Sequence, residues 1–225
     1  MMTNLFSIFD PYSSFFTLQL NWFSSLLLIV ILPLNFWLIP NRLFLLMKTI
    51  FFFIKKEIFN LMKLNLYKGN NLFFITLFFI LLMNNFLGLF PYIFTSTSHL
   101  IFNLTFSLPI WLSLMIFGWT RKTQNMFIHL IPNGTPPILM PFMVLIETIS
   151  NIIRPGTLAI RLTANMIAGH LLITLLSQNG TSLSTMFIFL LILIEVMLLI
   201  LEMSVSIIQA YVFTILSTLY TSEIH

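Results

Sequence analysis

The sequence lacks cysteine altogether and contains few charged residues. Without cysteine the chain can form no disulfide, no thiolate metal site and no thiol nucleophile. Only 7% of its 225 residues are charged, whereas a soluble domain carries about 25%. Because so little charge cannot cover a water-facing surface, the ordinary soluble and disordered classes are excluded. The net charge of +4 is also too small and too dispersed to indicate a nucleic-acid partner.

Apolar side chains dominate the composition instead. Hydrophobic residues make up 59% of the chain and the mean hydropathy is +1.03, which is typical of a protein whose solvent is lipid. The 26 Phe and 13 Met have AU-rich codons and therefore indicate an AT-rich genome, such as that of an organelle. Since the N-terminus lacks the Arg-rich pattern of a transit peptide, we expect synthesis inside the organelle.

Apolar runs predict the membrane spans. Three runs approach the ~20 residues that a spanning helix needs, namely residues 22–39, 72–90 and 100–119. Residues 42–68 mix Phe and Leu with five Lys, a pattern typical of an amphipathic helix lying on the membrane surface. Residues 121–134 are expected to form a polar loop.

Two later runs, residues 138–176 and 183–220, are much longer. Each would extend about 58 Å as a helix, although the hydrocarbon core is only ~30 Å thick. Each run is therefore either two short helices or one strongly tilted helix. The second run has no Pro or Gly and favours one helix, and we predict one kinked helix in the first run despite Pro155-Gly156. The linker 177–182 makes the two a hairpin.

The sequence thus predicts an all-α integral membrane protein with a single membrane domain over residues 1–225. We expect about five membrane-embedded helices and one amphipathic surface helix, with the last two helices forming a long, strongly tilted hairpin. Basic residues cluster in residues 42–68 and directly after residue 120, and the loops 91–99 and 177–182 hold none. Because basic loops face the compartment of synthesis, the N-terminus is predicted outside and the C-terminus inside.

Ionisable residues inside the two long runs are the candidate functional groups. A charge at mid-bilayer costs about 2.5–3.5 kcal/mol on insertion scales, so these residues should face protein or water. They are Glu147, Arg154, Arg161, His170, Glu195 and Glu202, with Glu223 at the end of the second run.

The first long run carries a polar stripe. Glu147, Arg154 and Arg161 are seven residues apart, close to two helical turns, and Asn165 follows one turn later. His170 is nine residues past Arg161 and is therefore expected on roughly the opposite face. Arg154 is open to a structural or a functional interpretation, and His170 to one as an interhelical hydrogen bonder.

The second long run repeats the pattern with Glu195, Glu202 and Gln209, again seven residues apart. In the predicted orientation, Gln209 and Arg161 lie at mid-depth, and His170 and Glu202 lie toward the outer side. Protonatable groups would then approach the centre from both faces. A guanidinium, which keeps its proton at accessible pH, would separate them.

Small residues next to Arg161 suggest what it faces. Ala164 and Ala168 lie one and two turns away, and small side chains let another helix approach closely in lipid. A permanently charged residue beside such a gap suggests a partner helix with a carboxylate. The alternative is a structural ion pair of Arg161 with Glu147 or Glu202.

Five separated motifs resemble one known family. Residues 158–171 (LAIRLTANMIAGHL) and 208–213 (IQAYVF) carry most of the resemblance, and residues 85–92 (NFLGLFPY), 147–150 (ETIS) and 134–136 (GTP) agree with it. Together they resemble the subunit a family of mitochondrial F-type ATP synthases, in its insect-like, mitochondrially encoded form. The resemblance covers essentially the whole chain.

The resemblance implies a proton-translocating stator subunit of the Fo sector in the mitochondrial inner membrane. Two offset half-channels would protonate and deprotonate carboxyls of a rotating c-ring, so that proton flow drives rotation and ATP synthesis. Arg161 would be the essential residue facing the ring, with Asn165 and Gln209 beside it. Expected partners are the c-ring, the peripheral stalk, other Fo subunits, lipid and protons. No cofactor, metal or nucleotide site is expected, and the chain is not expected to be an enzyme on its own.

The resemblance also assigns the two half-channels. His170 and Glu202 would serve the half-channel open to the intermembrane space, and Glu147 and Glu223 the one open to the matrix. Glu195 joins the proton path on its spacing alone. The N-terminus would face the intermembrane space and the C-terminus the matrix.

Two rival interpretations belong to other classes. An ion-coupled transporter or a respiratory-chain membrane subunit would also use buried charges, but broken helices or internal repeats would be expected in a transporter. A purely structural assembly subunit would have no need of so many ionisable groups within its spans. The sequence contains neither a phosphate-binding loop nor a metal-ligand spacing of its histidines.

Overall fold

Helices form most of the chain that the structure describes. The computed structural model describes residues 5–13, 18–31, 39–62, 69–131, 136–180 and 184–224, and no strand occurs among them. The predicted all-α class is thereby confirmed. Parts of four predicted segments fall outside the described residues, namely 32–38 of the first span, 63–68 of the surface segment, 132–134 of the polar loop and 181–183 around the hairpin turn.

Seven α-helices follow one another along the described chain. They are α1 (Leu27–Ile31), α2 (Arg42–Met62), α3 (Asn70–Gly88), α4 (Leu100–Arg121), α5 (Thr123–His129), α6 (Met140–Gly180) and α7 (Thr185–Ile224). Short 3₁₀ turns occur at Leu5–Phe9, Leu20–Leu26, Ser96–Ser98 and Pro137–Leu139.

Four of these helices are long and apolar enough to cross a membrane. They are α3, α4, α6 and α7, and the stretch Leu20–Ile31 is a shorter apolar helix. The chain is therefore a multi-pass membrane protein. The surface segment forms α2, in which Lys55, Lys56 and Glu57 follow one another and interrupt the apolar pattern.

The spanning helices pack in two layers. Helices α6 and α7 pack against each other, α3 packs against α7, and α4 packs against α6. Apolar side chains fill the space between the layers, where Leu81, Leu162 and Phe213 are no more than 2% exposed. Helix α2 contacts α3 and α7. One broad face of the α6–α7 pair is left open.

The two long runs each fold as a single helix. Helix α6 has 41 residues and continues through Pro155, and α7 has 40 residues. A proline removes one backbone donor, but packing from neighbouring helices lets a membrane helix tolerate it. Helix α6 also continues to Gly180, through most of the predicted linker.

The polar loop predicted for residues 121–134 is wrong in part, because α5 occupies Thr123–His129. Residues 123–129 contain neither Pro nor Gly, so nothing in this stretch prevents a helical turn after the break at Lys122.

Candidate functional site

Arg161 lies on the open face of α6. Arg161, Ala164, Asn165 and Ala168 are all exposed, whereas Leu162, on the other side of the helix, is buried. No ion pair or hydrogen bond joins Arg161 to any residue in the described ranges. The ion pair of Arg161 with Glu147 or Glu202, which the spacing left open, is therefore not formed. The guanidinium of Arg161 thus has no acidic partner among the described residues, and the small side chains of Ala164 and Ala168 lie beside it on the exposed face of α6.

Glu202 lies in the opposite environment. It is 9% exposed on α7, and neither carboxylate oxygen has a hydrogen-bond partner among the described residues. The carboxylate packs directly on Gly169 of α6. A Cβ at that glycine would lie 2.5 Å from Oε1 of Glu202, so only glycine leaves room for the acid there.

His170 adjoins this contact in the chain and is half-buried. Its Nε2 atom is buried without a described partner, and its ring meets Phe9 edge-on at 6.4 Å between centroids. The half-buried position agrees with the predicted face, opposite the exposed Arg161. Glu195, two turns before Glu202, also has a buried carboxylate oxygen, Oε1, without a described partner.

The contact between Gly169 and Glu202 sets the register of the hairpin. Arg161 lies eight residues before Gly169, and Ala210 lies eight residues after Glu202. Because α6 and α7 run antiparallel, Arg161 comes level with Ala210 and its neighbour Gln209, which is half-buried. The sequence predicted the proximity of Arg161 and Gln209 by resemblance only, since the linker length fixes no register.

Arg154, another arginine of the polar stripe, forms an ion pair and contacts an aromatic ring. Arg154 Nη2 lies 3.4 Å from Glu147 Oε1, and its guanidinium lies 5.0 Å from the ring centroid of Tyr220. Both charged side chains are about one-third exposed. The ion pair therefore lies at the mouth of a pocket and not in a dry core.

That pocket is a cavity of about 510 Å³ between α4, α5 and α6, closed on one side by Tyr220 of α7. Tryptophan and aliphatic side chains form most of its wall, and one strip of α6 supplies the polar groups. The polar groups are Glu147, Thr148, Asn151 and Arg154. Glu223 lies at the end of α7, but its side chain is outside the described part of the structure.

Sequence reasoning overlooked a buried polar cluster beside the α3–α4 turn. Thr97, Asn85 and Asn103 are fully buried, and the side-chain oxygen of each has no described partner. Asn103 Nδ2 donates to the Thr97 carbonyl at 2.8 Å, and Asn85 Nδ2 donates to the carbonyl of Ser206 at 3.5 Å. Asparagines within apolar runs were the signal that could have identified them.

This cluster extends toward the buried acid. Ser206 lies one turn after Glu202 on α7, and the Ser96–Ser98 turn packs against α3, α4 and α6. Buried polar atoms in proteins are normally hydrogen-bonded, to ordered water where protein offers no partner. The oxygens of Thr97, Asn85 and Asn103 are thus a group of buried polar atoms, without partners among the described residues, inside the helix bundle.

No group of three or more metal-binding side chains occurs among the described residues. The site therefore consists of isolated acids, the imidazole of His170, and the guanidinium of Arg161, which forms no ion pair with a described acid. Such an arrangement can hold and pass protons.

Comparison with known proteins identifies the family of the chain. A sequence profile of the family described as "ATP synthase A chain" matches residues 4–222. Proteins named ATP synthase subunit a are similar over the full length of both chains. Those of Aedes aegypti and Anopheles gambiae are 57% and 56% identical over 226 residues, and that of Drosophila melanogaster is 55% identical over 225. The predicted family is confirmed: the chain belongs to the ATP synthase subunit a family, a membrane component of the Fo sector.

Proposed function

We propose that this chain is the proton-translocating stator subunit of ATP synthase in the mitochondrial inner membrane. It would form two half-channels that load and unload carboxyls of the c-ring, so that proton flow drives rotation. One observation carries the proposal. Arg161 is exposed without an acid of its own, whereas Glu202 is buried without a hydrogen-bond donor among the described residues.

The open face around Arg161 is the proposed contact with the c-ring. A ring carboxyl in lipid must be neutral, because desolvation raises its pKa. Beside Arg161 the ionised form is favoured, and the exposed Ala164 and Ala168 leave room for a ring helix to approach. Asn165 and Gln209, which flank the guanidinium, would hydrogen-bond the ionised carboxyl. Arg161 itself would block direct proton flow, since it does not give up its proton.

The outer half-channel would use Glu202 and His170, with Glu195 further along α7. Their buried polar atoms support this assignment, because unpartnered groups in a membrane interior require water or a proton. The cluster of Asn85 and Asn103 supports an entry for water beside the α3–α4 turn.

The inner half-channel would use the cavity beside the ion pair of Glu147 and Arg154. Polar groups line one wall of this cavity, and Glu223 follows at the end of α7. Basic residues of α2 and of the α4–α5 junction support an inner side that faces the matrix, with the N-terminus toward the intermembrane space. Transmembrane voltage would contribute about 2.3 kcal/mol per charge per 100 mV.

The complete complex supplies the remaining parts. The c-ring, the peripheral stalk and other Fo subunits are the proposed partners, and ATP is formed elsewhere in the complex. The unbroken helices α6 and α7 give no support to a transporter built on discontinuous helices.

The test is Arg161→Ala in the assembled complex. Coupled ATP synthesis should be abolished while the complex still assembles, because nothing then forces the ring carboxyl to release its proton. Carbodiimide modification of the ring carboxyl should block proton flux in the unmodified complex. Normal coupled synthesis in the Arg161→Ala complex would refute the proposed function.

A further inference from the structure

Helix α2 is joined to α7 by one polar contact between distant parts of the chain. Tyr211 Oη donates a hydrogen bond to Glu57 Oε2, at 3.1 Å, across 154 residues of sequence. Both side chains are exposed, and Tyr211 is 39% exposed. Neither residue has a place in the proton path described above.

The register of the hairpin brings this contact to the level of Arg161. Tyr211 directly follows Ala210, which is level with Arg161 by the contact between Gly169 and Glu202. Tyr211 is exposed on α7, and α2 packs against α7. Glu57 therefore borders the pair of helices whose open face carries Arg161.

The surroundings of Glu57 connect it to the aqueous phase. Lys55 and Lys56 precede it, and both are exposed. Helix α2 is not among the four helices that are long and apolar enough to cross a membrane, and clustered lysines are typical of a segment that reaches the headgroup layer, where water has access. Glu57 is thus an exposed acid in the charged segment of α2.

The other inner-side acid is less favourably placed. Glu147 lies fourteen residues before Arg161 on the same helix, a rise of about 21 Å. Its carboxylate is also engaged by Arg154. Glu57, by contrast, forms no ion pair among the described residues, so its carboxylate is open to protonation beside the route that the Glu147 cavity would provide.

We propose that Tyr211 and Glu57 form a proton relay that leads from the ring carboxyl beside Arg161 to the inner aqueous phase. This inference rests on the proposed function. A proton arriving from the ring carboxyl, through water, binds Tyr211 Oη. The original hydroxyl proton moves to the carboxylate of Glu57 at the same time, so tyrosine stays neutral. Glu57 then releases that proton to water, and all groups return to their starting state.

The experiment compares Glu57→Gln with Lys56→Gln in the assembled complex, after removal of the ATP-forming sector. Passive proton flux is driven by a potassium diffusion potential. The amide of the Glu57→Gln variant keeps an oxygen for the tyrosine hydrogen bond but takes up no proton. We expect flux to fall about 100-fold in Glu57→Gln, at the lower end of the range for loss of a general acid–base group, and to stay unchanged in Lys56→Gln. Added formate should restore part of the flux only in Glu57→Gln.

The outcomes separate a relay from a simple tether. Normal flux in Glu57→Gln would overturn the inference, and so would a loss that formate does not restore. If Glu57→Gln does not assemble, Tyr211→Phe provides the second measurement, and normal flux in that variant would equally overturn it. Arg161→Ala distinguishes failure of the relay from failure of the proposed function. Loss of coupling there with normal flux in Glu57→Gln would leave the proposed function standing and remove the relay alone.

Discussion

Arg154 and Arg161 lie on one stripe of α6, seven residues apart, yet their surroundings differ completely. Arg154 contacts Glu147 and the ring of Tyr220 at the edge of a cavity. Arg161 faces outward among small side chains with no acid from the described chain beside it. An uncompensated charge in a membrane is costly, and the proposed c-ring carboxyl would supply the counter-charge for Arg161. Periodicity identifies the stripe, and only the neighbouring side chains distinguish the two arginines.

Conservative replacement of the two arginines should give the largest difference. Lysine keeps a positive charge but lacks the planar fork of guanidinium and can lose its proton. We expect Arg161→Lys to lower coupled ATP synthesis by more than about 100-fold, equivalent to ~2.7 kcal/mol. Arg154→Lys should retain synthesis within about threefold, since a lysine can still pair with Glu147. Rates of ATP synthesis at matched complex content would measure both, and equal losses would remove the distinction.

Two glycines of α6 provide a second comparison. Gly156 has open space beside it, whereas Gly169 packs against α7. Gly169→Ala places a methyl group against the carboxylate of Glu202, whereas the Cβ of Gly156→Ala meets no atom within 4 Å. We expect proton flux to fall about tenfold in Gly169→Ala, because a displaced acid transfers protons less efficiently. Gly156→Ala should behave like the unmodified complex. Normal flux in Gly169→Ala, with intact assembly, would show that the position of Glu202 is unimportant.

The smallest effect is expected for the ion pair itself. Glu147 and Arg154 are 34% and 28% exposed, so their attraction is partly screened by water. A double-mutant cycle with Glu147→Gln and Arg154→Gln should give a coupling energy of about 0–1 kcal/mol. The heat stability of the purified complex would report it. A much larger coupling would indicate that the pair is more strongly desolvated than its exposure implies.

Hydropathy and seven-residue spacing predicted much of this molecule because lipid allows few alternatives. A spanning segment must satisfy its backbone internally, so long apolar runs become helices. The same reasoning predicted one polar stripe along α6 and the placement of His170 on roughly the opposite face from Arg161. The short helix α5 was missed because a polar segment between spans carries no comparable constraint.

The register of α6 against α7 and the polar contacts between other helices could not be predicted in this way. The packing of Gly169 on Glu202 depends on two helices meeting, and no local pattern specifies such a meeting. Asn85 and Asn103 were overlooked because uncharged side chains in apolar runs attract less attention than charges. The contact of Glu57 with Tyr211 was not predicted, because an acid among lysines is ordinarily a solvated surface group.

The unbroken length of α6 has one further geometric consequence. At 41 residues it is about 62 Å long, roughly twice the ~30 Å of hydrocarbon that separates the two aqueous phases. If its ends reach opposite headgroup layers, the axis inclines by roughly 60° and the ends stand about 50 Å apart in the plane of the membrane. Water that reached one end would then be displaced sideways from water that reached the other. Such a lateral offset is the geometry that the proposed pair of half-channels beside a turning ring requires.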